Sequence, residues 1–508
     1  MTNSDNNKRI AKNTLLLYFR MLFLMLVSLY TSRVILNALG VVDYGVYNVV
    51  GGMVTMFALI SSSLGAAISR FITFELGKGD FEKLQKVFSA SVTIQIALAI
   101  IIAVLIELIG VWFLNTHMVI PPERIKAANW VLQFSVLTFA IGLISVPYNA
   151  SIIAHERMSA FAYISIIEAL GKLAVALLIV HSPIDRLIFY AAFIAVIGII
   201  IRLIYGAYCK HHFPECHYHF LFDKKLLLQM FSFAGWNFIG SSSAILRDQG
   251  GNIIINLFFG PTVNAARAIA VRVNSVVTGF VQNFMMALNP QITKSYAAGD
   301  RAYMMTLIFQ GARLSFYMLL LLSLPVMLSA HYILVLWLKL VPEHTVPFVQ
   351  LSLIFAMSES VSNPLITAML ATGKIRNYQI LVGGLALLNL PVSWLCLKLG
   401  TPPEAVLIVA IALSQVCLAC RLFMLRKMIG LKVKQYLSKV YLNIIVVTIS
   451  AAIIPIAIST KLTENLTSFL LLTLISILCS SIAILCIGCN KQERHKVKIY
   501  VQKMKNKF

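Results

Sequence analysis

Long apolar stretches separated by short polar turns run from one end of this chain to the other. Several stretches carry no Asp, Glu, Lys or Arg: Val87 to Ile106, Ala127 to Ala154, Leu314 to Leu338, Tyr441 to Thr460 and Asn465 to Asn490. About 20 apolar residues suffice to cross hydrocarbon, and an open strand edge cannot be satisfied in lipid. The pattern therefore predicts an all-α polytopic membrane protein.

The breaks between apolar windows predict about fourteen membrane helices. These lie near 13–38, 45–74, 84–113, 125–148, 157–180, 186–208, 226–257, 262–292, 303–330, 347–372, 377–398, 403–426, 440–460 and 465–489. The loops between them reach about fifteen residues, too short for a soluble catalytic or binding domain. Any chemistry is therefore expected among the helices.

Basic residues concentrate in alternate connections. With the N terminus inside, the predicted inner segments hold most of the lysines and arginines, including a tail from Lys491 to Lys507, whereas the outer segments hold few, such as Arg124 and Lys461. This bias predicts that both termini are cytoplasmic. The chain has 508 residues, 59% hydrophobic and 12% charged, with net charge +23 and mean hydropathy +0.86. We attribute much of the charge to topology and contact with anionic lipid, and expect no nucleic acid partner. The tail is either an amphipathic surface segment or solvated.

A spaced motif occurs twice. Gly40 to Gly79-Asp80 matches Gly260 to Gly299-Asp300 at an offset of 220 residues, and Pro147, Ala154 and Arg157 recur as Pro364, Ala371 and Lys374 at an offset of 217. An internal duplication of this size predicts two parallel six-helix repeats around a central cleft, the usual construction of a secondary transporter. We place an N-terminal bundle at 1–224, a C-terminal bundle at 225–430, and two extra helices with a basic tail at 431–508.

Charged residues inside the predicted spans are candidates for a functional site, because burial of charge in a membrane is costly. Five arginines are the candidate cations of a cleft: Arg20, Arg70, Arg247, Arg267 and Arg313. Arg267 begins a polar stripe that continues through Asn274, Thr278, Gln282 and Asn289 on one face of the eighth span. Such a stripe either lines a wet cleft or bonds to neighbouring helices.

Three acids are candidates for coupling to a proton or Na⁺: Asp248, Glu359 and Glu168. Asp248 follows Arg247 directly, so the two side chains need not pair, and Asp248 could instead neutralise an arginine on another helix. Glu168 and Lys172 stand four residues apart in an orientation that favours a pair within the helix.

Cysteine and histidine cluster only in the loop after the sixth span, at Cys209, His211, His212, Cys216, His217 and His219. Their spacing matches no standard zinc pattern, so a basic interfacial connector is the preferred interpretation over a metal site. We predict no metal, no cofactor and no catalytic residues.

The stretch 32–48, SRVILNALGVVDYGVYN, resembles the first-hairpin signature of Wzx-type polysaccharide flippases, within the multidrug/oligosaccharidyl-lipid/polysaccharide exporter superfamily. The Gly79-Asp80 and Gly299-Asp300 turns and the twelve-plus-two helix count are similar to the same family. The resemblance implies a MATE-like fold and a flippase that moves an undecaprenyl-pyrophosphate-linked oligosaccharide across the bacterial cytoplasmic membrane, for O-antigen, capsule or exopolysaccharide assembly. It also implies cavity arginines on the first and eighth helices, where Arg20 and Arg267 lie, and makes a polysaccharide polymerase or other assembly proteins candidate partners.

Three other functions remain open from the sequence. A cation-coupled drug exporter of the same superfamily would be expected to place acids in the cleft, whereas arginines predominate here. A membrane enzyme acting on lipid-linked sugars would need a large external loop or a carboxylate-rich site. A scaffold within an assembly complex would leave the duplicated architecture unexplained.

Overall fold

The computed structural model describes residues 3–55, 57–116, 118, 120–220, 223–338, 341–490 and 493–494, and all regular secondary structure in these ranges is helical. Most of the basic tail predicted from Lys491 lies outside the described residues. The α-helices are α1 (Asn3–Thr55), α2 (Ala58–Lys78), α3 (Phe81–Leu105), α4 (Val111–Thr116), α5 (Ile125–Ala154), α6 (Met158–Leu178), α7 (Arg186–His212), α8 (Lys224–Ala297), α9 (Arg301–Leu328), α10 (Ala330–Leu338), α11 (Thr345–Thr372), α12 (Arg376–Tyr378), α13 (Gly384–Leu387), α14 (Asn389–Lys398), α15 (Ala405–Ile429), α16 (Val433–Tyr436), α17 (Asn443–Ser459) and α18 (Leu466–Ala483). Four π-helical turns continue them, at Ile106–Gly110, Gln379–Gly383, Leu437–Leu442 and Ile484–Gly488.

Within the described residues, 11 helices are long and apolar enough to cross a membrane, which is consistent with about fourteen predicted spans. The described residues of the predicted spans 45–74, 226–257 and 262–292 are almost all helical, but these spans fall outside this set. They contain charged residues such as Arg70, Arg247 and Arg267, which lower their hydropathy. Large apolar side chains such as Trp112, Ile453 and Leu474 are more than half exposed on other helices, as lipid-facing residues would be. The all-α membrane fold predicted from the sequence is confirmed.

The repeated motif adopts the same backbone geometry in both copies. α1 and α8 each break at a glycine of positive φ, Gly40 (φ 80°, ψ 169°) and Gly260 (φ 78°, ψ −172°), in a region of conformational space that only glycine enters readily. Forty residues later, Asp80 accepts a hydrogen bond from the Lys83 amide (3.0 Å) and Asp300 accepts one from the Tyr303 amide (2.9 Å), so each aspartate caps the next helix. Both prolines of the second motif lie inside helices, in α5 and α11.

The chain divides into two compact units, which we call unit 1 (Met1–Ser241 and Thr293–Gly299) and unit 2 (Ser242–Ile292 and Asp300–Phe508). α8 therefore contributes residues to both units. In unit 1 a buried apolar cluster joins α1, α3, α5 and α7 through Val50, Ile102, Leu132 and Leu187. In unit 2, α11 packs against α9 and α15, and α18 packs against α9 and α17. The sequence-based domain boundaries at 224 and 430 stay a prediction.

Candidate functional site

Arg267 is a buried guanidinium with unused hydrogen-bond donors. It lies in α8, two turns after the Gly260 break, and is 6% exposed. Its Nη2 donates to the Asp248 carbonyl (3.2 Å), whereas Nε and Nη1 are buried without a hydrogen-bond partner among the described residues. Gly251 leaves room for it, because a Cβ there would lie 2.5 Å from Nη1. A buried charge with unpaired donors is costly to fold, which marks Arg267 as a candidate anion ligand.

Asn274 lies two turns further along the same face of α8. Its Oδ1 is also buried without a partner among the described residues, while its backbone carbonyl accepts a bond from Thr278 Oγ1 (2.9 Å). At the far end of the stripe, Asn289 Oδ1 accepts a bond from Thr367 Oγ1 on α11 (2.7 Å). The stripe therefore holds one end with unsatisfied polar atoms and one end bonded to a neighbouring helix. The two interpretations that the sequence left open apply to different parts of it.

Arg247 and Asp248 form an ion pair, with Nε and Oδ1 2.9 Å apart. The sequence did not require this pairing, since adjacent residues project about 100° apart on a helix. The arginine also lies over the Phe355 ring, 4.9 Å from its centroid. The Asp248 carboxylate stays 61% exposed, so it neutralises Arg247 and remains accessible. Arg247, Asp248 and Arg267 are thus the three predicted site residues that unit 2 brings together.

Arg421 is a buried cation that the sequence analysis missed. It is 6% exposed in α15, and its Nη1 donates to Ser362 Oγ (3.0 Å). Its Nε lies 3.5 Å from the Tyr378 hydroxyl oxygen. Glu359, one turn before Ser362 in α11, interacts with Arg421 electrostatically. The sequence signal was an arginine five residues before the basic helix end at Arg426 and Lys427, which obscured it.

Arg20 lies in unit 1 over the ring of Phe161, 4.6 Å from its centroid, with a buried Nε that has no partner among the described residues. Glu168 and Tyr205 interact with it electrostatically. Glu168 also accepts a bond from Lys172 Nζ at 2.6 Å, which confirms the pair predicted from their spacing. Glu168 therefore interacts with two cations.

Arg70 is held among three aromatic rings of unit 1. Its guanidinium carbon lies 4.7 Å from the ring centroids of Phe71 and Phe74 and 5.6 Å from that of Phe233. The electron-rich faces of aromatic rings attract cations, by roughly 0.5–2 kcal/mol for each contact. These contacts help to keep a positive charge inside unit 1.

Arg313 differs from the other predicted cations, because its guanidinium is engaged with oxygen atoms. Nη1 donates to the Gly488 carbonyl (2.9 Å) and Nη2 to the Glu493 carboxylate (2.8 Å). These contacts tie α9 to the end of the C-terminal helical hairpin and favour a structural role. A cavity of about 500 Å³ beside it is lined also by Lys439 and Asn443.

The cysteine- and histidine-rich loop is packed through other contacts. Cys209 and Cys216 are buried, and the His155 ring pairs with Glu215 at 2.5 Å and stacks on Phe213. Within the described residues, no group of three or more potential metal ligands comes together.

Comparisons with known proteins give a family from the sequence and a fold from solved structures. The family described as "Polysaccharide biosynthesis protein" matches residues 10–296. Among solved structures, a MATE protein aligns with TM-score 0.72 at 12% identity, covering 85% of this chain and 97% of that one. A multidrug resistance MATE family transporter of the MOP superfamily, solved in an outward-facing conformation, aligns with TM-score 0.71 at 12% identity, covering 84% and 96%. A MOP superfamily transporter from Pyrococcus furiosus, described as having a binding pocket of reverse polarity, aligns with TM-score 0.65 at 13% identity, covering 84% and 96%. A search of curated proteins finds no match.

These findings confirm the MATE-like fold and the family resemblance that the sequence indicated. They show a multi-pass membrane protein.

Proposed function

Because the chain belongs to the polysaccharide biosynthesis protein family, we propose that it is a membrane exporter that flips a lipid-linked oligosaccharide. The substrate of this proposal is an undecaprenyl-pyrophosphate-linked oligosaccharide, which crosses the bacterial cytoplasmic membrane by alternating access, with both termini of the protein in the cytoplasm. The observation that carries the proposal is the buried guanidinium of Arg267 with its Nε and Nη1 unpaired among the described residues. A pyrophosphate headgroup supplies acceptor oxygens for those donors.

The chemistry of the candidate residues suits a phosphate group. A guanidinium stays charged and binds phosphate through paired hydrogen bonds, which makes arginine the preferred ligand for such groups. Asn274 adds a side-chain amide on the same face of α8, which can donate to a phosphate or sugar oxygen. In unit 2, Arg247 adds positive charge that is paired with one carboxylate. In unit 1, Arg20 and Arg70 are further cations, each held against aromatic rings.

The driving force belongs to the same proposal. An inside-negative membrane potential favours outward movement of a negatively charged headgroup. Protonation or Na⁺ binding at Asp248, Glu359 or Glu168 would add a second source of free energy. Asp248 is an accessible candidate for binding the coupling ion, since its side chain is 61% exposed although it pairs with Arg247. Loss of a coupling ion gradient should therefore slow flipping in the parent protein but not in Asp248→Asn.

A cationic drug is the competing substrate. In unit 2 the candidate acids already interact with arginines, since Asp248 pairs with Arg247 and Glu359 interacts electrostatically with Arg421. A drug cation entering this region would meet net positive charge, so the proposed substrate is anionic. Enzymes that cleave glycosidic bonds use a pair of carboxyl groups beside the bond. The two candidate acids of unit 2 interact with arginines instead, so we propose a transporter rather than an enzyme.

The test is headgroup flipping in proteoliposomes with a short undecaprenyl-pyrophosphate oligosaccharide. Arg267→Ala should lower the flipping rate about 10- to 100-fold, since a hydrogen bond to a charged group contributes roughly 1.5–3 kcal/mol. Arg267→Lys should restore only part of the rate, because an ammonium lacks the planar fork. The matched control is Arg272→Ala, which removes an exposed arginine five residues along the same helix.

Three outcomes separate the hypotheses. A loss of flipping in the Arg267 variants alone supports the cationic site. An equal loss in Arg272→Ala would show that flipping depends on the overall positive charge of the helix and not on Arg267. A folded parent protein that fails to flip this lipid but carries a fluorescent organic cation would replace the flippase proposal with the drug exporter.

A further inference from the structure

Unit 1 contains an ion cluster that includes none of the predicted site residues. Arg9 Nε lies 2.8 Å from Glu156 Oε2, and Lys294 Nζ lies 2.7 Å from Glu156 Oε1. The Glu156 side chain is 0% exposed, whereas those of Arg9 and Lys294 are 33% and 22% exposed. A fully buried carboxylate between two cations joins three parts of the chain: the start of α1, the turn after α5 and the end of α8.

The backbone at Glu156 is strained, and the second copy of the motif shows why this matters. Glu156 has φ +59°, a left-handed conformation that ends α5. At the equivalent position 217 residues later, Gly373 ends α11 with φ +73°. Glycine fits this turn without cost, whereas a residue with a Cβ loses about 1 kcal/mol or more there. The first copy therefore accepts strain to place a carboxylate where the second copy has none.

Packing around the cluster is close enough to make it sensitive to movement of α8. Asn13 Nδ2 donates to the Glu156 carbonyl (3.2 Å), which adds a second link between α1 and the turn. On α2, Gly77 faces the Lys294 backbone, and a Cβ there would lie 2.7 Å from the Lys294 Cα. Lys294 thus cannot shift toward α2, and its ammonium stays beside Glu156.

We infer that the Arg9–Glu156–Lys294 cluster is a latch that fastens the end of α8 to the start of α1 and the turn after α5, and that it must open and close in each transport cycle. This inference rests on the proposed transport function. α8 is also the helix that carries Arg267, the candidate headgroup ligand, at a position assigned to unit 2. Release of Lys294 frees the end of that helix, so latch opening is coupled to movement of the helix that holds the headgroup site. Glu156 is the positioning residue of this latch and does not contact the substrate.

The experiment measures hydrogen–deuterium exchange of the full chain in lipid nanodiscs, over the segments 150–158 and 288–298. Glu156→Gln keeps the side-chain shape but removes the charge, and Lys294→Met removes one partner. Each should speed exchange in both segments at least about tenfold, because exchange reports the population of the locally open state. Lys294→Arg should leave exchange close to that of the parent. Glu156→Gly relieves the strain and still removes the carboxylate, so it should resemble Glu156→Gln.

The matched control is Glu75→Gln, which breaks another ion pair of unit 1. Glu75 Oε1 lies 2.9 Å from Lys83 Nζ, and the Glu75 side chain is 3% exposed, but the pair joins α2 to α3 and does not include α8. This control should leave exchange at 288–298 unchanged. Unchanged exchange in Glu156→Gln, or an equal rise in Glu75→Gln, would overturn the latch.

A second measurement distinguishes a latch from a purely structural cluster and from failure of the proposed function. The undecaprenyl-pyrophosphate oligosaccharide should alter exchange at 288–298 in the parent and have little effect in Glu156→Gln, which is already open. Glu156→Gln should keep binding of this probe and lose flipping about tenfold or more, since one state of the cycle is depopulated. A variant that loses binding and flipping equally would indicate a structural cluster and reject the latch. If the parent does not flip the probe, the proposed substrate fails while the exchange results still decide whether the cluster holds α8.

Discussion

Where α5 and α7 begin in unit 1, Arg124 donates to Asp43 and, at 2.6 Å, to Asp185. Where α11 and α15 begin in unit 2, offsets of 220 and 219 residues later, His344 pairs with Glu404 at 2.7 Å. The two pairs join equivalent helix starts. Unit 1 uses a permanent charge shared by two carboxylates, whereas unit 2 uses an imidazole with one carboxylate.

The same contrast recurs at the other helix ends. Backbone geometry is shared by the two copies, as at Gly40 and Gly260, but side-chain chemistry differs, as at Glu156 and Gly373. Helix breaks and caps follow from the fold that both copies must form, so they recur. A side chain that differs at an equivalent position has no such origin, and these differences indicate where the two copies perform separate tasks.

The largest predicted effects concern the shared glycine breaks. Gly40→Ala and Gly260→Ala should each lower the free energy of unfolding by roughly 1–3 kcal/mol, because an L residue is strained at these φ and ψ values. No atom lies within 4 Å of a Cβ built at either position, so the loss would come from the backbone alone. Unfolding monitored in detergent micelles tests this.

The control for these variants is Gly384→Ala. Gly384 has helical φ −60° and ψ −46°, and a Cβ there also meets no atom within 4 Å. This substitution should be neutral or slightly stabilising. A large loss at Gly40 without one at Gly260 would break the equivalence of the two copies.

These breaks were predictable from sequence because they are local. The spacing of the paired motif alone identifies Gly40, Gly260 and the two Gly-Asp turns as equivalent positions. The Glu168–Lys172 pair was predictable for the same reason, since residues four apart share a helix face. Hydropathy alone does not identify every helix, because the spans that carry Arg70, Arg247 and Arg267 mix polar and apolar positions.

Sequence missed one buried cation and the partner of another, because both depend on tertiary contacts. Arg421 donates hydrogen bonds to Ser362 and Tyr378 on other helices, and Arg313 donates one to Glu493 in the C-terminal segment. No spacing rule connects residues so far apart in the chain. Glu156 was hidden for a different reason: its neighbours in the polar turn after α5 suggest a solvated loop, whereas its side chain is fully buried.

The helix caps should show equal effects in the two copies. Asp80→Ala and Asp300→Ala should each cost about 1 kcal/mol, because each removes the acceptor for an amide at the start of the next helix. Asp80→Asn and Asp300→Asn keep a side-chain oxygen that can accept the bond, so each should lose only a few tenths of a kcal/mol. Denaturation curves of the four variants would sharpen the comparison, and an asparagine variant as unstable as its alanine counterpart would show that charge, not capping, is responsible.

The Arg124 pair gives a pH dependence of defined sign. Burial alone would raise the pKa of Asp185, but hydrogen bonds from Arg124 and from the amides of Ile188 and Leu187 bring it below its usual value of 3.8. A lowered pKa in the folded state means that the pair stabilises the protein above the unfolded-state pKa, and that this contribution disappears as the pH falls through the folded-state value.

Asp185→Asn isolates this contribution, because asparagine can still cap α7 while the charge is removed. The variant should lose up to about 1 kcal/mol near neutral pH and nothing at a pH well below the folded-state pKa of Asp185. Thermal unfolding of parent and variant between pH 2 and pH 7 measures how the difference in stability changes with pH. A constant difference across that range would show that the loss comes from the helix cap instead of the ion pair.

The smallest effect is expected at the equivalent pair of unit 2. Glu404→Gln and His344→Gln should give a coupling energy of roughly 0.5 kcal/mol or less in a double-mutant cycle, because one hydrogen bond joins a partly exposed imidazole to one carboxylate. The matching cycle with Arg124→Gln and Asp185→Asn should give a larger value, since that pair joins a permanent positive charge to a carboxylate. Equal coupling in the two cycles would mean that the units stabilise their equivalent helix starts equally, and that the change from arginine to histidine carries no energetic consequence at these positions.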